Sequence, residues 1–160
     1  MTLRDRIHAD LIAAMRSGDT LRRDVLRMVT NAAYGIEKRE RKPLSEDELV
    51  GVVMREVKTR RESVEAFRKG RREDLASREE AEIAILQEYL PQPLAEEELV
   101  GLVGQAIGAT GAGSPRDIGR VMGWLSPRTR GRADGRHLSE LVARRLAGLD
   151  LEAHDRSGGH

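Results

Sequence analysis

Residues 88–99 read EYLPQPLAEEEL. Two prolines in three positions stop a helix from running through, because each lacks the amide that a helix interior needs and biases the residue before it toward extended backbone. Pro91 therefore closes the helix read over REDLASREEAEIAILQEYL, residues 72–90. On the far side, Glu96, Glu97 and Glu98 fall in the first turn of a new helix, where the helix dipole favours anions. We place the domain boundary at this stiff segment, with an N-terminal lobe over 1–92, a C-terminal lobe over 93–149 and a disordered tail over 150–160.

Upstream of the boundary the apolar residues keep helical period. Leu3, Ile7, Leu11 and Met15 form one stripe that ends near Gly18. Leu21, Val25, Met28, Val29, Ala32 and Ile36 form the next, running into a charged end, EKRERK, before Pro43. SEDEL at 45–49 has the capping-box pattern, in which Ser45 takes the amide of Glu48 while Glu48 reaches back to the Ser45 amide. Leu49, Val52, Val53, Val57, Val64 and Phe67 then continue to Gly70, and Leu75, Ile83, Leu86 and Leu90 line a fourth helix. Short turns between four helices predict an antiparallel bundle or a pair of hairpins.

Downstream, Leu99, Leu102, Val103, Ala106 and Ile107 mark a fifth helix. Ser114 with Pro115 starts a sixth, whose inner side is Ile118, Val121, Met122 and Leu125. Asp134 or Gly135 opens the last, with Leu138, Leu141, Val142 and Leu146 inward. The predicted class is all-α, with a four-helix lobe followed by a small three-helix lobe. Composition agrees: aromatics are 2% of 160 residues, so the cores are built from aliphatic side chains.

Several kinds of chemistry are disfavoured. Absence of cysteine removes disulfides and thiolate ligands. His8, His137, His154 and His160 form no ligand spacing, so no metal site and no cofactor are expected. The glycine-rich GATGAGSP follows a helix and has no lysine, unlike a P-loop. Most carboxylates lie beside arginines on helical faces, and no nucleophile, base and orienter come together, so catalysis by this chain alone is not expected. MTLRDRIHAD at the N-terminus carries acids and no long apolar stretch, and from it we expect a cytoplasmic protein without a signal peptide or membrane anchor.

Basic clusters remain. Overall charge is nearly balanced, 28 basic against 27 acidic residues. Residues 58–72 nonetheless hold seven basic groups against two acidic ones, and residues 114–136 hold six arginines against two aspartates. The first cluster also fits a solvated helix that ends in cations. In the second, Arg128, Arg130, Arg132 and Arg136 are read as lying mostly between helices, without a helical reason to gather. Guanidiniums beside the free amides at Ser114 and Pro115 suit a phosphate backbone, RNA first, though an acidic protein surface would satisfy the same charges.

LRRDVLRM at 21–28, VVMREVKTRRESVEAF at 52–67, EEAEIAILQEYLPQPLAEEEL at 79–99, SPRDIGRVMGWL at 114–125 and GRADGRHLSELV at 131–142 together resemble the GatB/YqeY family, in its stand-alone YqeY-like form. The resemblance covers residues 1 to about 148. It implies an all-helical N-terminal lobe joined to a three-helix lobe similar to the tail of the B subunit of the tRNA-dependent amidotransferase, a lobe implicated in gripping tRNA. The family signature falls on Gly119, Arg120, Val121, Met122 and Gly123, then on Gly131, Arg132, Ala133, Asp134 and Gly135; at Arg120 the family usually has lysine. Glutamine-dependent amide transfer belongs to other parts of that complex.

The expected function is therefore an accessory tRNA-binding protein. Arg116, Arg120, Arg128, Arg130, Arg132 and Arg136 are assigned to phosphates, with Gly119, Gly131 and Gly135 allowing close backbone approach and Asp134 capping the last helix. Lys58, Arg60, Arg61, Arg71 and Arg72 extend the surface. The alternative is a docking module for an amidotransferase or aminoacyl-tRNA synthetase subunit. Trp124 discriminates between them: it is read as core, and an exposed Trp124 would favour docking.

Overall fold

The computed structural model describes residues 1–158, and among them all regular structure is helical. The order is α1 (Leu3–Ser17), α2 (Thr20–Glu40), α3 (Glu46–Lys69), α4 (Glu73–Gln87), α5 (Glu96–Thr110), a single 3-10 turn (Pro115–Asp117), α6 (Ile118–Thr129) and α7 (Gly135–Ser157). The chain divides into two compact units, Met1–Pro91 and a second that begins at Gln92.

Local chemistry sets the boundaries of the first unit. Thr2 and Asp5 form a reciprocal capping box at the start of α1, and Gly18 ends that helix with φ of 78°, a left-handed value that glycine adopts without strain. Ser45 accepts the Glu48 amide at 3.1 Å, but the return bond from Ser45 to Glu48 does not form. At the head of this helix the acceptor that matters is Glu46, which takes the Leu3 amide and joins α3 to the start of α1.

These helices form two hairpins, α1 with α2 and α3 with α4, and α2 also packs against both helices of the second hairpin. Val25, Leu26, Val29, Val53, Ala76 and Leu86 make the fully enclosed centre. Met15 and Met28, expected on the inward stripes, are instead half exposed; each ends at an arginine, Met15 at Arg27 and Met28 at Arg60. After α4 the ring of Tyr89 is buried, its hydroxyl donating to Asp10 at 2.6 Å while Arg6 lies over the ring at 5.0 Å. Burial first, and then the bond to Asp10, pushes the Tyr89 hydroxyl up to about 12. The EYLP sequence is thus fastened to α1 before the chain leaves the unit.

One member of the expected basic surface is corrected here. Arg60 is only 4% exposed. Its guanidinium donates to Glu56 at 2.6 Å and to Glu82 at 3.1 Å, and it also meets the Glu56 carbonyl and the Met28 sulfur. With its donors engaged inside the hairpin it holds α3 to α4 and cannot meet a phosphate. Nearby, burial and then the neighbouring Glu82 raise the Glu79 carboxyl above its usual range.

In the second unit α5, α6 and α7 surround Val121, Leu125, Leu138, Val142 and Leu146. His137, in the first turn of α7, bonds Glu96 at the start of α5 at 2.8 Å. The expected disordered tail is also corrected: α7 continues through residues 150–157 to Ser157, and the last two tail positions lie outside the described residues. Leu149 still packs against the core, so the helix has no reason to stop at the family-like stretch, whereas Leu151 beyond it is exposed.

Removing Arg60 alone would leave the Glu56 and Glu82 carboxylates without their cation. Arg60→Ala is expected to lose stability at the low end of the roughly 3–5 kcal/mol typical of a broken buried pair, because both acids retain some solvent. Arg68→Ala, which removes exposed, solvent-screened pairs to Glu73 and Glu80, is expected to leave stability near the parent's. Urea unfolding of the two variants checks the contrast.

Candidate nucleic-acid interface

The basic turn of the second unit is built around Pro127. Proline inside a helix removes one amide, here the one that would reach the Gly123 carbonyl, and α6 nonetheless runs on to Thr129, with side chains adding bonds to neighbouring carbonyls of its last turns. Ser126 donates to the Met122 carbonyl at 2.8 Å, Thr129 to Leu125 at 3.0 Å, and Arg128 to Trp124 at 2.6 Å. Arg128 therefore belongs to the last turn of α6 rather than to the connection, and its guanidinium lies 3.7 Å from the centre of the Trp124 ring. Trp124 is partly buried against the core, with the arginine covering its outer face.

After Arg130 the chain reverses at Gly131, which is buried and has φ of 76°. Arg132 then binds the proline segment: its carbonyl accepts the Leu94 amide at 2.8 Å, its Nε donates to the Gln92 carbonyl at 3.0 Å, and its own amide reaches Thr129 at 2.8 Å. This residue, assigned from sequence to phosphate contact, has its main chain and Nε occupied as a clamp. Asp134 accepts the Arg136 amide at 3.2 Å and caps α7, as its position predicts.

At the other end of α6, Asp117 gathers the turn. It accepts the amides of Gly113 and Ser114 and a 2.6 Å bond from Arg120, which also donates to the Thr110 carbonyl. The Gly113 amide first, and then Arg120, hold the Asp117 carboxyl below its usual range. Its contribution to stability is present above its unfolded value near 3.8 and is lost as pH falls through the lower folded value. Arg116 is exposed and has no hydrogen bond or ion pair among the described residues. Arg136 is exposed and paired loosely with Glu140 at 3.6 Å.

The structure thus gathers Arg116 and Arg120 at the start of α6, and Arg128, Arg130, Arg132 and Arg136 at its end and beyond. Gly119 and Gly135 lie on the surface in ordinary helical backbone, where an added Cβ would meet nothing within 4 Å. No close approach inside the chain requires them. Lys58, Arg61, Arg71 and Arg72 belong to the first unit; all are exposed, and Arg72 is paired with Asp74. Sequence reasoning missed the Trp124 and Arg128 stack, although a spacing of four on one helix is the signal that would have revealed it.

Against known sequences, the family described as Yqey-like protein matches residues 4–146. The chain belongs to the YqeY family. It is similar to "Altered inheritance of mitochondria protein 41, mitochondrial" of Pyrenophora tritici-repentis, 29% identical over 140 residues that cover 86% of this chain and 77% of the relative. The protein of the same name from Lachancea thermotolerans is 38% identical over 93 residues, 55% of this chain and 48% of the relative. An uncharacterized Schizosaccharomyces pombe protein is 38% identical over 52 residues, 32% of this chain and 42% of the relative.

These relatives correct the cytoplasmic expectation. Two of the relatives are named as mitochondrial, so the polar composition of the first ten residues does not carry a cytoplasmic location.

Gly131→Ala is expected to destabilise the YqeY-like chain by about 1–2 kcal/mol, the cost of a side chain in left-handed backbone. Gly119→Ala and Gly135→Ala, in open helical positions, are expected to be neutral or to stabilise by about 0.5–1 kcal/mol. Denaturation midpoints of the three variants check the ordering.

Proposed function

We propose that the C-terminal unit binds the sugar-phosphate backbone of RNA, with tRNA as its ligand. The chain then serves as an accessory to tRNA-dependent amide transfer without catalysing it. The observation that carries this reading is the way the arginines are partnered. Arg128 and Arg132 hydrogen-bond backbone carbonyls, which orient a guanidinium without neutralising it, and Arg116 has no partner among the described residues. Only Asp117, Asp134 and Glu140 supply compensating charge along residues 114–140. A net positive stretch with oriented donors suits phosphate, and Arg128, held over the Trp124 ring and bonded to the Trp124 carbonyl, is one such oriented donor.

Docking on a synthetase or amidotransferase subunit through Trp124 is supported less. That ring is partly buried and capped by a charged side chain, the opposite of an apolar anchor open to a partner.

The test is tRNA binding by fluorescence anisotropy across rising salt. Log affinity is expected to fall linearly with log salt. Alanine at Arg116, Arg128 and Arg130 together is expected to lower affinity at least about tenfold and to make the slope shallower by roughly 2–3. A flat salt profile, or a triple variant that binds like the parent, overturns the reading.

A further inference from the structure

The first unit carries a second row of basic groups, and an aromatic ring stands within it. Four, seven and eleven residues after Arg27 on α2 come Asn31, Tyr34 and Lys38, a spacing that sets all four on one face. That face lies opposite Val25, Val29 and Ile36, which enter the core or pack against it. No carboxylate stands in the row. Of its acidic neighbours, Asp24 is paired with Arg23, and Glu37 is held by Arg4 and by the Leu44 amide. Glu40 is six positions from Tyr34 and falls off the row.

Tyr34 is 65% exposed and has no hydrogen bond or ring contact among the described residues. Gly35 beside it leaves open space, since an added Cβ would meet nothing within 4 Å. Arg27 reaches only the Met15 sulfur, and Lys38 reaches no partner among the described residues. Beyond Lys38 the helix ends at Glu40 and is followed by Arg41, at a φ of 55°, and Lys42. The helix dipole accounts for cations at this end, but it gives no reason for an unpartnered aromatic ring among them.

We propose that this ridge of α2 binds an unpaired nucleotide of RNA, its base stacked on Tyr34 and the flanking phosphates held by Arg27 and Lys38. A ring face with cations on both sides is the arrangement that takes single strands without reading their sequence. The inference rests on the RNA reading above for its class of ligand, but on different residues in a different unit.

A short fluorescent oligouridylate and the full chain provide the test. Tyr34→Ala is expected to weaken binding by roughly 5- to 150-fold, while Tyr34→Phe keeps it. Lys38→Gln is expected to make the salt slope shallower. Both positions are on the surface, so melting temperatures of the three variants are expected to stay near the parent's. If Tyr34→Ala binds as well as the parent while the C-terminal arginine variant loses affinity, the ridge is overturned and the C-terminal reading stands. Loss at Tyr34 with none at the C-terminal arginines supports the ridge, and the tRNA titration then decides the C-terminal reading separately. No binding of the oligouridylate at all overturns the ridge outright.

Discussion

Arg132 ties together the two parts of the second unit that matter most. Its carbonyl and its Nε hold Leu94 and Gln92, the residues on either side of Pro93, and its amide closes the turn back onto Thr129. The extended proline segment cannot satisfy its own backbone groups as a helix would, so it takes partners from the α6–α7 turn. The same bonds fix the turn, and with it the directions of Arg128 and Arg130 before it and Arg136 after it. Buried Gly131 makes this possible, because the reversal needs a left-handed residue where a side chain would be strained.

Neutralisation, rather than the number of arginines, separates the basic stretches. Arg60, Arg68 and Arg72 each find carboxylates, and Arg60 is drawn into the hairpin by two of them. Along residues 114–140 of the second unit six arginines stand against three acids, and several guanidiniums are held by carbonyls instead. A carbonyl positions a guanidinium but leaves its charge in the surrounding field, so an oriented surface of this kind remains attractive to an anion.

Helical phase explains most of what could be read in advance. The seven helices were legible because aliphatic residues recur at three and four positions and because Gly18, Gly70 and the two prolines punctuate them. Arg60 shows where reading charge alone fails: it is three residues after Val57 and four before Val64, so it shares their buried stripe whatever its charge. Met28 shows the converse, an apolar residue at good spacing whose place inside is taken by the Arg60 cluster that it touches. The final helix outran its expected end because its sequence keeps forming helix after the apolar stripe has ceased.

By itself the sequence determined the all-α class, the stop at Pro91, the caps at Ser45 and Asp134, and the YqeY membership. Each of these depends on neighbours within a few positions or on an ordered set of motifs. Tertiary structure decided which cations meet distant partners, since Glu82 is 22 residues from Arg60 and the Gln92 carbonyl is 40 from Arg132. It also decided that Trp124 is capped while Tyr34 stands open. Spacing along a chain fixes a helix face, but only packing determines whether that face meets an acid, a carbonyl or water.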